Sequence, residues 1–131
     1  MADIYEFTVE GTCVPQGSMS VFNGRIVHQK SKELTAWRTA IGNACRAIME
    51  PLDGPVEVDI TFFLNRPRTV TRKTPHVRPD VDKLARAALD GLTGAAFQDD
   101  AQVIRLTARK AYGPPGAMFT IEGSRSAAGS R

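Results

Sequence analysis

The sequence predicts an α+β fold: a single domain with a mixed or antiparallel sheet of about four to five strands and two main helices packed on it. Three observations predict it. Several stretches alternate apolar and polar residues with the period of a half-buried strand. Two longer stretches carry apolar residues at helical spacing. The chain is 131 residues long, 42% hydrophobic and 24% charged, which suits one domain with a core of modest size.

Residues 4–11 read as the first strand, with Tyr5, Phe7 and Val9 on one face and Glu6, Thr8 and Glu10 on the other. Pro15, Gln16, Gly17 and Ser18 form a turn cluster. Residues 21–27 make a short hairpin about Asn23 and Gly24, a pair suited to a type I′ turn. Ser31 caps a helix whose inner stripe is Leu34, Trp37, Ile41, Cys45 and Ile48. This helix ends near Met49, ahead of Pro51, and Trp37 on the stripe packs in the core rather than stacking on a ligand. Val56, Val58, Ile60, Phe62 and Leu64 then alternate with Glu57, Asp59 and Thr61 in a strand. Glu57 and Asp59 belong to a solvated face, although Asp59 is also a weak candidate metal ligand.

Val81, Leu84, Ala85, Ala88, Leu89 and Leu92 form the apolar stripe of a second helix, which Gly91 and Gly94 bring to an end. A strand over residues 102–112 follows, with Ile104, Leu106 and Ala108 on one face and Arg105, Thr107 and Arg109 on the other. Residues 113–116 turn the chain, and residues 117–122 return as an antiparallel strand. The expected domain covers residues 1–122, with residues 123–131 as a flexible tail rich in Ser, Gly and Ala.

Cys13 and Cys45 make neither a CxxC pair nor a zinc pattern, so two reduced thiols are expected. The N-terminus lacks a basic region followed by an apolar run, and no apolar stretch is long enough to span a bilayer. A cytoplasmic protein with no membrane partner is the expectation. The net charge of +3 is too mild to establish a polyanionic partner, but its distribution is more informative.

Between the central strand and the second helix, residues 65–79 carry Arg66, Arg68, Arg72, Lys73 and Arg78 with no acid among them. Pro67, Pro75 and Pro79 oppose regular structure there. This basic loop, with His76 as a minor addition, leads directly into Asp80 and Asp82. Asp80 is expected at the N-cap of the second helix and Asp82 in its first turn, both facing one region, with the helix dipole offsetting part of their repulsion. Asp82, Arg86 and Asp90 follow at four-residue spacing on the polar face. A second acid pair, Asp99 and Asp100, lies beyond the helix. The pairs would stand about 20 Å apart if the chain ran straight, so they converge only if residues 94–98 fold back along the helix.

Carboxylates brought together repel one another unless a cation neutralises them. Asp80, Asp82 and Asp100 offer hard oxygen ligands of the kind magnesium and manganese take. Such an ion acidifies a bound water and polarises a phosphate oxygen. The bland alternatives are a helix cap at Asp80 and a turn at Asp99-Asp100, since Asp-x-Asp is common.

The segments Arg78-Pro79-Asp80-Val81-Asp82-Lys83-Leu84, Leu89-Asp90-Gly91-Leu92-Thr93-Gly94 and Asp99-Asp100-Ala101-Gln102-Val103 resemble the RusA family of Holliday junction resolvases. The early Pro15-Gln16-Gly17 segment and the order of elements extend the likeness more loosely. The resemblance implies a Mg2+-dependent endonuclease, with Mn2+ able to substitute, that cuts four-way DNA junctions symmetrically as a homodimer. It implies metal-binding and catalytic roles for Asp80, Asp82 and Asp100, with Asp99 beside them. Lys83 stands where the family has an asparagine, and Arg86 where it has a functionally important lysine. Arginine keeps the charge and clamps a phosphate but does not readily exchange a proton at neutral pH. The expected contacts to DNA are Arg66, Arg68, Arg72, Lys73, Arg78 and Lys83, with Arg105 and Arg109 as additions. If the chain is phage-encoded, the host cytoplasm is its setting. The rival readings are a broader nuclease of flaps or duplex, a DNA-binding protein without catalysis, and a metal held only for stability.

Overall fold

In the computed structural model the elements run β1 (Asp3–Glu10), β2 (Met19–Phe22), β3 (Arg25–His28), α1 (Ser31–Arg46), β4 (Val56–Leu64), α2 (Val81–Leu92), a 3₁₀ turn (Asp100–Gln102), β5 (Val103–Tyr112) and β6 (Gly116–Gly123). The structure describes residues 2–17, 19–22, 25–28 and 31–124, without the side chains of 19–22, 25–28 and 31. Ser18 of the expected turn, the Asn23-Gly24 hairpin turn, the Ser31 cap and residues 125–131 of the expected tail lie outside what is described; Gly123, expected to open that tail, is buried at the end of β6, paired with Asp3 and Val56.

The main sheet has four strands in the order β1-β6-β4-β5, and β2 pairs with β3 in a separate two-stranded ribbon. It is mixed: β4 runs parallel to β5 and antiparallel to β6. A parallel pair needs a long crossover, and α2 supplies it. The last strand does return antiparallel, but to β4 and β1 rather than to β5. The link between β5 and β6 passes the end of β4, where Gly113 N donates to Leu64 O at 3.0 Å. β5 is therefore an edge strand.

The expected alternation in β4 is realised: Val56, Val58, Ile60 and Phe62 are buried, and the residues between them are half-exposed. α1 and α2 pack together over the buried face of the sheet, with Leu34, Trp37, Ile41 and Cys45 meeting Leu84, Ala88 and Leu92 in one core. Ile48 departs from its expected place and is exposed. Regular helix stops at Arg46, and Met49, whose N–H donates to Cys45 O at 3.1 Å, is buried instead. Burial pushes the Cys13 and Cys45 thiols up to about 11, so both stay protonated at neutral pH.

Gly91 does not end the second helix; it lies inside α2 and is buried. A Cβ there would stand 3.0 Å from Arg38 O and 3.1 Å from Ile41 Cβ. The glycine thus permits the close crossing of α1 and α2. Gly94 does turn the chain, with φ +87. Behind it Ala95, Ala96 and Phe97 are fully buried. Leu52 N donates to Ala96 O at 2.7 Å, and Gly94 N to Phe97 O at 2.6 Å. Burial of a side chain the size of Phe97 is worth about 2–3 kcal/mol, and it carries the chain back from the end of α2. No helix among the described residues is long and apolar enough to cross a membrane.

Candidate active site

Asp80 is the N-cap of α2, with extended φ −72 and ψ 139, and Asp82 sits in the first turn. Aspartate is among the strongest N-cap residues because its carboxylate accepts from an orphan helix N–H. The Asp80 side chain makes no such bond. Its Oδ2 lies 3.9 Å from Lys83 Nζ, one turn along the helix.

Asp99 and Asp100 are separated by role. Asp99 caps the 3₁₀ turn, its Oδ1 accepting from Ala101 N at 2.9 Å. Gln102 completes a capping box: its Oε1 accepts from Gln98 N at 3.0 Å and Asp99 N at 3.1 Å. The other end of that amide donates to Leu52 O at 2.8 Å and Gly54 O at 2.9 Å. The turn is thereby fastened to the segment just before β4, and the carboxylate of Asp100 is left over.

Asp100 and Asp82 meet at one pocket of about 260 Å³, in the groove between α2 and β5, together with Arg86 and Asp90. Its apolar wall is Ala85, Leu89 and Leu106. Asp90 is engaged by Arg38 at 3.0 Å. Asp82, Arg86 and Asp100 are exposed, and among the described residues their side chains take part in no hydrogen bond or ion pair. Uncommitted charges of both signs around one hollow have no structural partner to account for them.

Asp80 does not face this pocket. It lines a larger neighbour, about 600 Å³, with Gln16, Arg78, Pro79 and Lys83. The expectation of a shared orientation thus gives way to two adjoining pockets. The reason is local: two residues apart at a helix start are turned widely from each other, and Lys83 draws Asp80 to its own side. The basic loop borders the larger pocket through Arg78 and is absent from the smaller one. Arg38 of α1 links a residue of each pocket, donating to Gln16 Oε1 at 2.6 Å as well as to Asp90. Gln16 N in turn donates to Lys83 O at 2.9 Å.

The remaining candidates are spread around this centre. Arg72 donates to Tyr112 Oη at 2.8 Å, and the Arg66 guanidinium lies 6.0 Å from the same ring. Arg68, Lys73 and Arg78 have no side-chain partner among the described residues. His76 makes only local bonds with Thr74. Arg105 and Arg109 pair with Glu57 at 3.3 Å and Asp59 at 3.5 Å. All four lie on the sheet face opposite α2, away from both pockets. Asp59 is therefore apart from Asp80, Asp82 and Asp100.

As a metal centre the donor set fits in its chemistry. Asp82 and Asp100 are hard-oxygen donors on one pocket, uncommitted to any neighbour, and Asp80 stands beside them free of capping. Among the described residues, no three His, Cys, Asp or Glu side chains are already gathered closely enough to hold an ion.

Sequence reading missed the Gln102 fastening, the Arg38 bridge and a third tether, Lys110, whose Nζ donates to Val77 O at 2.6 Å and Pro79 O at 2.8 Å. The only sequence signal for the first was a glutamine three residues after a capping aspartate. The others had none.

One pocket thus gathers acids with an uncommitted guanidinium, and the other carries Arg78 of the basic loop with Asp80 and Lys83. The chain belongs to the RusA family of endodeoxyribonucleases: the model of endodeoxyribonuclease RusA matches residues 11–122. A comparison with curated proteins found no match. The family membership makes the chain a nuclease by lineage and agrees with the resemblance carried by its acidic segments.

Proposed function

We propose that the protein is a Mg2+-dependent endonuclease that resolves four-way DNA junctions by paired symmetric cuts, acting as a homodimer. The observation that carries this reading is the pocket where Asp82, Arg86 and Asp100 meet with uncommitted side chains. Membership of the endodeoxyribonuclease family supplies the reaction class.

Asp82 and Asp100, with Asp80, are the residues that would hold the ion, and Asp99 keeps Asp100 in place through its cap. The chemistry magnesium supplies when bound is polarisation of a phosphate oxygen and acidification of the attacking water. Arg86 clamps the scissile phosphate by two hydrogen bonds. Lys83, beside Asp80 in the larger pocket, adds a second positive charge and supplies the amine that Arg86 lacks. Arg68, Lys73 and Arg78, free of other partners, take the flanking backbone, with Arg66 and Arg72 held nearer Tyr112. Such contacts read charge and shape more than base identity and make binding fall steeply with salt. Two-fold pairing of subunits supplies two incisions for a junction of approximate two-fold symmetry.

The test is cleavage of a four-way junction and of linear duplex of the same sequence, with and without Mg2+. Wild type is expected to cut only the junction and only with the ion. Asp82→Asn and Asp100→Asn are expected to bind the junction and not cut it. Equal cutting of duplex would replace junction selectivity by a broader taste, and activity surviving either substitution would remove the assigned site.

A further inference from the structure

We infer that Lys110 is a positioning residue for the Asp80 side of the site, an inference that rests on the function proposed above. Lys110 lies on edge strand β5 opposite Phe62 in register, and so on the face that α2 covers. Its ammonium makes no ion pair among the described residues. It donates instead to two main-chain oxygens, Val77 O at 2.6 Å and Pro79 O at 2.8 Å.

Those oxygens belong to the last residues of the basic loop. Among the described residues, no other hydrogen bond ties residues 73–79 to the rest of the fold; those of Thr74 and His76 stay within the loop. Pro79 O is one peptide before Asp80. On the far side, Asp80 O accepts from Leu84 N at 3.1 Å as the helix begins. The Asp80 backbone is thus fixed from both directions, by Lys110 before it and by α2 after it. Its carboxylate makes no cap bond and meets only Lys83 among the described residues, so the backbone sets the point from which that carboxylate reaches. Lys110 also holds Arg78 at the rim of the larger pocket. Two of its three donors are committed to these carbonyls, which assigns the lysine to holding the loop.

The experiment compares wild type, Lys110→Met and Lys110→Arg. Methionine keeps the length and loses the donors; arginine keeps donors and charge. For Lys110→Met, the Mg2+ concentration giving half-maximal junction cleavage should rise about ten- to a hundredfold, the usual effect of removing a group that orients a metal ligand. Junction binding without Mg2+, and its slope against salt, should stay at the wild-type values. Trypsin should cut faster after Arg68, Arg72 and Lys73, and Lys110→Arg should restore both loop protection and Mg2+ requirement in part. An unchanged trypsin rate, or an unchanged Mg2+ requirement in an enzyme that cuts, overturns the inference. So does a salt slope lowered by one charge, which would make Lys110 a DNA contact. Failure of wild type to cut junctions at all would count against the proposed function, while the trypsin comparison would still decide whether the anchor exists.

Discussion

Replacing Gln102 by alanine tests whether the turn bearing Asp100 is held by one side chain. The Gln102 amide uses both ends: two donations to Leu52 O and Gly54 O, and two acceptances from Gln98 N and Asp99 N. A net contribution of about 0.5–1.5 kcal/mol for each of the four bonds gives a loss of about 2–6 kcal/mol for Gln102→Ala. The lower half is expected, because Gln98 and Asp99 are exposed and water can take over their N–H groups. Urea unfolding should show the midpoint lowered at unchanged m-value. Cleavage measured well below the unfolding transition should fall about a hundredfold, the scale of a misplacement of about 1 Å, with junction binding unaltered. Gln102→Glu separates the two ends: it keeps the acceptor for Gln98 and Asp99 but turns a carboxylate oxygen toward the Leu52 and Gly54 carbonyls. It should be at least as damaging as alanine. A Gln102→Ala protein with the wild-type midpoint and rate would refute the idea that the amide holds Asp100 in place.

Arg105→Ala and Arg109→Ala should change stability by less than about 1 kcal/mol, because each removes only an exposed ion pair. They should weaken junction binding, followed by fluorescence anisotropy, less than Arg68→Ala or Arg78→Ala, whose charges have no partner among the described residues. Asp80→Asn should leave the unfolding midpoint near wild type while abolishing cleavage. Asp99→Ala should lower stability by about 1 kcal/mol through its lost cap.

Much of the fold was legible because it follows from short-range periodicity. β4 occupies the residues whose alternation announced it, and α2 starts after Asp80 as the cap pattern implied. What was not legible depends on residues far apart in the chain. Gly91 looked like a helix terminator because glycine ends helices often; here the backbone of Arg38 approaches it from another helix, a fact no local pattern encodes. The position of β6 between β1 and β4 was equally hidden, since adjacency in sequence favours pairing with β5. Lys110 and Gln102 act on main-chain oxygens 31 to 50 residues away. A carbonyl oxygen leaves no mark on the sequence.

The two aspartates at helix starts mark the boundary between structural and functional signals. Asp80 and Asp99 occupy the same kind of position, and by residue type each should cap. Asp99 does, and its partner in the capping box is the amide that fixes the whole turn. Asp80 does not, though its backbone is as extended as a cap requires. A carboxylate withheld from an available bond forgoes the stability that capping gives. That loss needs a compensating use, and the neighbourhood offers one: Lys83 beside it, Arg78 at the rim and the Asp82–Asp100 pocket around the helix end. The rigidity the missing cap would have provided comes from the Lys110 tether on the preceding carbonyls. The main chain thus fixes where Asp80 stands, while its carboxylate, without a cap bond, meets Lys83; under the function proposed above it is the group that would take the cation.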